Sequence, residues 1–290
     1  MRAFHANWTG PFFARNGAAM PYAVPPFELF TTALSALYWR RENGSIAMLC
    51  DRTAQDYYTA LGLDFLWDGG MHPVLDTVDP EIDPICFWAA GKLYALRAFG
   101  APCVMIDTDF IVWRDLSARL DGHTLLTIHA EDILPDIYPG PDAFTLHRPF
   151  DLDTLDWTVR PANTALSYFG DPAFTARYAQ TAIDFMRAAS PADDSLTYMV
   201  FAEQRLLPML AARDGVPLEF FMDLPALFLS GQDWFTHVWG FKQQMQADPA
   251  LYDGFCRRCA TRLARDFPEA AKALRDVPSL TTYFSQTPIP

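Results

Sequence analysis

Apolar positions along this chain fall into two kinds of run. Short unbroken stretches, Ser45-Ile-Ala-Met-Leu-Cys50 and Pro102-Cys-Val-Met-Ile106, read as strands buried on both faces. Between them, segments such as 27–41 carry Phe27, Phe30, Leu34, Leu37 and Tyr38 at helical spacing. Strands alternating with helices predict an α/β protein. The pattern predicts a strand at 3–8, a proline-rich loop at 21–26, and a helix at 27–41 stopped by Asn43-Gly44. It continues with a strand ending at Asp51, a helix at 53–61 closed by Gly62, a short strand at 63–67 and a loop at 68–84. A helix at 85–99, closed by Gly100, turns Trp88, Leu93 and Leu96 toward the core. After the strand at 102–106 come an extended 110–113, a helix at 116–120, a strand at 124–129 and an irregular stretch at 131–158. A strand at 159–169 holds Asn163, and Asp171 caps a helix reaching Ala189. A long helix at 195–213, a strand at 217–224 and an aromatic-rich loop at 230–242 follow. The segment 249–274 reads as helical, with a loose tail to Pro290. The expected division is one domain at 1–245 with a helical extension at 246–290 packed on it.

The chemistry concentrates where the most apolar strand ends, in Asp107-Thr108-Asp109. In open α/β sheets ligands gather outside the carboxyl ends of strands. Two ionised aspartates there need a partner, and a divalent metal held by hard oxygens is the simplest one. A DxD triplet is common by chance, and its setting is what singles this one out: Cys-Val-Met-Ile before it and Phe-Ile-Val-Trp after it. Fifteen residues upstream, Lys92 sits on the helix at 85–99, either as a solvated lysine or as a cation for a metal–diphosphate site. Asp51 reads equally as a cap of the following helix or as a polar group near a nucleoside.

The composition narrows the partners. Hydrophobic residues make up 51 % of the 290, aromatics 14 %, and the net charge is -13, so a folded core is assured and nucleic acid is excluded as a partner. An anionic ligand would have to be met by a metal or a few placed cations. No long apolar run suggests a signal or a transmembrane segment, and the expected location is cytoplasmic. Cys50, Cys86 and Cys103 read as buried thiols. Cys256 and Cys259 form a single CxxC without the second pair that zinc requires, and read as two positions on a helix.

The run Lys92-Leu-Tyr-Ala-Leu followed by Val-Met-Ile-Asp107-Thr-Asp109 resembles GT-A glycosyltransferases, especially the glycogenin-like and galactinol-synthase-like group, and the wider stretch 87–113 is similar to an uncharacterised bacterial family with a GT-A-like domain. The resemblance implies a mixed central sheet flanked by helices and a metal-dependent transfer of sugar from a nucleotide-diphosphate sugar, UDP-sugar favoured, to a glycan or other small acceptor. Asn163-Thr-Ala-Leu resembles the strand that lines the acceptor side, and Glu203-Gln204 a carboxylate–glutamine pair near the transferred sugar. His237-Val-Trp-Gly240-Phe-Lys242 resembles a motif whose histidine completes the metal site and whose lysine holds the diphosphate. Under that reading Asp107, Asp109 and His237 bind Mn²⁺ or Mg²⁺, and Lys92 and Lys242 face the diphosphate. Histidine suits a site with two carboxylates, and Gly240 would let the backbone approach a phosphate, although a histidine among aromatics is also often simply packed. The chain departs from the pattern at Ala165 and Glu203, in a spacing to Lys242 one residue shorter, and in the apparent insertion at 131–158. Retention is the implied stereochemistry, whereas inversion would need a base such as Glu203 or Asp233.

Two other readings stand beside it. A haloacid-dehalogenase-like phosphatase would use Asp107 as its nucleophile, but it would place the motif near the N-terminus and a later acidic pair after a strand, whereas Asp193-Asp194 precede a helix. A non-catalytic domain of GT-A type would use Trp234, Phe235, Trp239 and Phe241 as a platform for glycan or protein.

Overall fold

The computed structural model describes residues 1–190, 194 and 196–284. Asp193, the start of the helix expected at 195, and the tail from 285 onward lie outside the described residues.

Among the described residues nine strands form: β1 (Ala3–Asn7), β2 (Ile46–Cys50), β3 (Met71–His72), β4 (Cys103–Ile106), β5 (Phe110–Val112), β6 (Leu125–Thr127), β7 (Leu166–Phe169), β8 (Leu218–Phe220) and β9 (Phe235–His237). Seven make one sheet in the order β3-β2-β1-β4-β7-β6-β8, and β5 pairs with β9 in a separate antiparallel ribbon. Within the sheet only β7 runs against the others. This is the mixed α/β sheet flanked by helices that the alternation predicts.

β2 and β4 are apolar throughout because both faces are covered. Ile46, Met48 and Cys50 of β2 and Val104 and Ile106 of β4 enter one core, while Ala47, Leu49, Cys103 and Met105 enter the other. Successive side chains of a strand point to opposite faces, so one sequence feeds two layers. The first layer is closed by α2 (Pro26–Glu42) and by the C-terminal helices α11 (Pro249–Asp266), α12 (Pro268–Arg275) and α13 (Thr281–Phe284). The second is closed by α4 (Ala90–Phe99), α6 (Pro172–Ala188) and α8 (Leu206–Asp214). Shorter helices are α1 (Gly10–Asn16), α3 (Arg52–Ala60), α5 (Ser117–Leu120), α7 (Thr197–Val200), α9 (Leu224–Leu229) and α10 (Phe241–Ala247).

The topology places a crevice. From β1 the chain steps outward through β2 and β3, then returns to the other flank of β1 as β4. That reversal is a switch point, where the connections after β1 and β4 diverge and leave a cleft at the carboxyl ends of the strands.

Several local expectations are corrected. Residues 63–67 are not a strand: Leu63 N–H bonds back to Tyr58 O, and a 3₁₀ turn covers Asp64–Leu66. The edge strand instead is β3, inside the expected loop. α4 starts at Ala90 rather than 85, so Trp88 is out of phase with its apolar face and is 39 % exposed. Only Leu166–Phe169 of the expected 159–169 strand pairs in the sheet; Pro161 lacks an N–H, and Asn163 Oδ1 accepts from Ala165 N–H and turns the chain there. The helix expected to 213 is broken by a π-helical turn, Phe201–Arg205, between α7 and α8. Helix α1 arises where none was expected, α9 begins where a strand was expected to end, and the loop at 230–242 contains β9. Tyr283 and Phe284 are not loose: both are buried, with rings 5.8 and 5.7 Å from Phe30. Cys256 and Cys259 lie buried on α11 as free thiols.

Candidate active site at the carboxyl ends of β1 and β4

Asp107 follows β4 directly, and its N–H is held by Ala165 O at 2.8 Å. A tight turn, with Phe110 N–H on Asp107 O at 3.0 Å, then carries the chain into β5. The β5–β9 ribbon sets Phe110 opposite His237, and Val238 N–H bonds to Asp109 O at 3.2 Å. Two stretches some 130 residues apart in sequence are thus pinned to one another by backbone bonds. As a result Asp107, Asp109 and His237 each present one ligand atom, and these atoms all lie within 4.8 Å of one another.

Lysines stand on both carboxylates. Lys92 Nζ is 2.6 Å from Asp107 Oδ1 and also pairs with Glu203. Lys242 Nζ is 2.8 Å from Asp109 Oδ2. Burial opposes the charge of Asp107, and with Glu203 and Asp109 nearby it outweighs Lys92, so the carboxyl is raised to about 6. Burial works against Asp109 as well, but there Lys242, then His237, win and its pKa is lowered. Burial, aided by the two lysines, holds His237 down to about 4, so at neutral pH its imidazole keeps a free lone pair. Both ammonium groups stay charged, because their carboxylate neighbours more than offset burial.

Asp109 is nearly enclosed, and its Oδ2 is met by the Lys242 ammonium. Two hard oxygens and a neutral imidazole nitrogen are a donor set that fits a divalent cation.

Beneath the site runs a polar chain that sequence reasoning missed. The Trp67 indole N–H donates to His5 Nδ1 at 3.2 Å, so Nε2 carries the proton of the neutral ring. That N–H donates to Ser35 Oγ at 2.9 Å, and the Ser35 hydroxyl donates to Phe110 O at 2.6 Å. All the links are buried, and they fix the residue after Asp109 to β1 and α2. A histidine at the centre of a short strand, at His5, was the available signal.

Glu203 comes from the π-helical turn and is 2 % exposed, between Lys92 and the Thr164 hydroxyl, which donates at 2.7 Å. The widened turn also directs its next two residues. Gln204 accepts from Tyr138 O–H at 2.7 Å, and the Arg205 guanidinium donates to the carbonyls of Tyr138, Pro139 and Trp157. The irregular stretch at 131–158 is therefore clamped by the element that carries Glu203.

A cleft of about 480 Å³ opens over Asp107 and Asp109 and is lined by Lys92 and Lys242, by Asn7 at the end of β1, by Trp8, Phe12, Arg15 and Tyr22 from the segment after it, and by Glu28 and Trp88. Among the other expected site residues, Asp51 spends its oxygens on Ala54 N–H, Thr9 N–H and the Thr9 hydroxyl, and so caps α3 and ties down the start of that segment. Asn163 donates to Glu131 Oε1 at 3.2 Å and does not line the cleft. Asp233 is exposed and paired with Arg114. Asp194 accepts from Leu196 and Thr197 N–H at the start of α7. Gly240 sits at φ -63 with open space where a Cβ would stand, whereas Trp239 carries the positive φ of 38.

No family model and no curated protein matches the chain. Among solved structures, mouse xyloside xylosyltransferase 1 in its apo form is similar, with a TM-score of 0.39 and 11 % identity over 76 % of this chain and 84 % of that one. No described helix is long and apolar enough to cross a membrane.

Proposed function

We propose that the protein is a metal-dependent glycosyltransferase that moves a sugar from a nucleotide-diphosphate sugar, a UDP-sugar by preference, to an acceptor hydroxyl. The observation that carries this reading is the convergence of Asp107, Asp109 and His237, with Lys92 and Lys242 beside them, at the switch point of the sheet. The triad would hold Mn²⁺ or Mg²⁺, which when bound supplies Lewis-acid neutralisation of the diphosphate. Lys92 and Lys242 are the cations placed to meet the charge that grows on the leaving group. Trp8, Phe12 and Tyr22, which line the cleft, offer flat faces for a base.

In the transfer, the bond from the anomeric carbon to the diphosphate oxygen breaks and its electron pair stays with the diphosphate. The acceptor oxygen bonds to that carbon and passes its proton to the departing diphosphate oxygen. Glu203 is committed to Lys92 and Thr164, and Asp233 to Arg114. With both candidate bases engaged, the arrangement favours retention over inversion.

The test is thermal-shift titration with nucleoside diphosphates and nucleotide sugars, with and without Mn²⁺. The expected outcome is stabilisation by one nucleotide that requires Mn²⁺ and is lost in Asp109→Ala. A folded protein that no nucleotide stabilises would sink the proposal.

A further inference from the structure

We infer that a second hollow, at the carboxyl ends of β6 and β8, seats an uncharged apolar group carried by the acceptor, so that the sugar is passed to an amphipathic aryl- or alkyl-bearing molecule rather than to a free sugar. This rests on the transfer reading above. β6 and β8 run in the same direction as β4, so the hollow opens on the sheet edge that bears Asp107 and Asp109. Its volume is about 770 Å³, and Phe220, Met222, Leu224, Phe228 and Leu229 supply its apolar walls.

Phe228 and Leu229 are 65 % and 84 % exposed, and Phe220 and Trp239 are also open to solvent. Clustered exposed apolar side chains of this size mark a binding surface. The charged groups lining the hollow are already engaged. Arg160 Nη2 pairs with Asp132 Oδ1 at 2.9 Å, and the same guanidinium donates to the carbonyls of Ala130 and Glu131. Asp223 Oδ1 accepts from Ala226 N–H at the head of α9. The surface left for an occupant is therefore mainly the apolar walls.

Trp239 joins the hollow to the metal triad. Its ring is parallel to the His237 imidazole, 5.9 Å away, and nearly parallel to Phe228, 6.4 Å away. It also holds a positive φ of 38, a conformation a bulky residue adopts only when its surroundings impose it. An apolar group lodged against Phe228 would leave a hydroxyl on the same carrier within reach of the triad across one indole.

The experiment titrates the neutral fluorescent probe N-phenyl-1-naphthylamine into the full chain and competes it with octyl or methyl β-glucoside, the octyl compound below its micelle concentration. Saturable one-to-one binding is expected, displaced by the octyl and not the methyl glucoside, and unchanged in Asp109→Ala. The exposed-site double variant Phe228→Ser/Leu229→Ser should weaken the probe by about tenfold or more while its melting curve stays that of the wild type. Absence of saturable binding, or binding that this variant leaves intact, overturns the inference and leaves Mn²⁺-dependent nucleotide binding untouched. Sedimentation that shows a wild-type dimer split by Leu229→Asp overturns it too, because a second copy would then cover the patch. Probe binding without any nucleotide binding removes the acceptor assignment together with the transfer reading.

Discussion

Lys92 is the residue on which two carboxylates depend, the buried Glu203 and the half-buried Asp107. Removing it leaves Glu203 charged and enclosed with only a hydroxyl partner, and leaves Asp107 beside it. Lys92→Met should therefore destabilise the fold by about 3 kcal/mol, and Lys92→Met/Glu203→Gln should recover most of the loss. Chemical denaturation of the two variants decides this; equal losses would mean that the pair is not coupled. His5 gives a pH signature. Burial holds its pKa down to about 3 against an ordinary 6.5, so between those values the unfolded chain binds a proton that the native one refuses. Stability should fall as pH drops from 6.5 toward 3, with a slope of up to about 1.4 kcal/mol per pH unit from this group. His5→Gln should flatten that slope in melts recorded across the range. At Gly240 an alanine meets no steric barrier, so Gly240→Ala should leave the melting temperature unchanged. If the backbone there seats a phosphate, the same variant should weaken Mn²⁺-dependent nucleotide binding, and unchanged binding would remove Gly240 from the site.

At the scale of elements, the sequence is most legible where one period governs a whole segment. β2, β4, α2, α6 and α11 follow from unbroken apolar runs or helical spacing, and Asp107 and Asp109 stand out because they end such a run. What stays hidden is whatever depends on partners distant in sequence. The β9 strand exists because β5 offers it an edge, and the π-helical turn leaves no periodic trace in Phe201–Arg205. Arg205 was unreadable for the same reason, since its three carbonyl acceptors lie in the irregular stretch 48 to 67 residues upstream. One contact between elements is open to test. A Cβ on Gly91 of α4 would stand 2.6 Å from Trp8 Cβ and 3.1 Å from Leu75 Cδ1. Trp8 cannot swing its Cβ aside without moving its backbone. Overpacking of about 1–3 kcal/mol should exceed the ~1 kcal/mol that alanine gains over glycine in a helix. Gly91→Ala should thus lower stability and shift the segment that lines the cleft, weakening nucleotide binding. A stabilised variant with intact binding would show that Trp8 is not held there.

At the scale of the whole molecule, the question is whether the C-terminal helices are an appendage. Helix α2 buries residues on every side, so it needs cover opposite the sheet. That cover is α11 to α13: Cys256, Leu263, Leu274 and Phe284 belong to the same core as Phe30, Tyr38 and Ile106. Tyr38 O–H also donates to Asp266, and the Tyr252 hydroxyl accepts from Phe27 N–H at the start of α2. Because α2 supplies Ser35, which holds Phe110, the tail and the DxD turn share a mechanical path through a single helix. A chain ending at Ala247 would expose Phe27, Phe30 and Tyr38 together, a patch that water does not tolerate on a monomer. It should be insoluble, or show no cooperative melt and bind no nucleotide. Leu263→Ala is the milder form of the same experiment: Leu263 is fully buried, and its truncation should cost about 2–5 kcal/mol while leaving the site residues in place. If residues 1–247 alone melt cooperatively and bind nucleotide as the full chain does, the C-terminal helices are a separable extension and the first core closes without them.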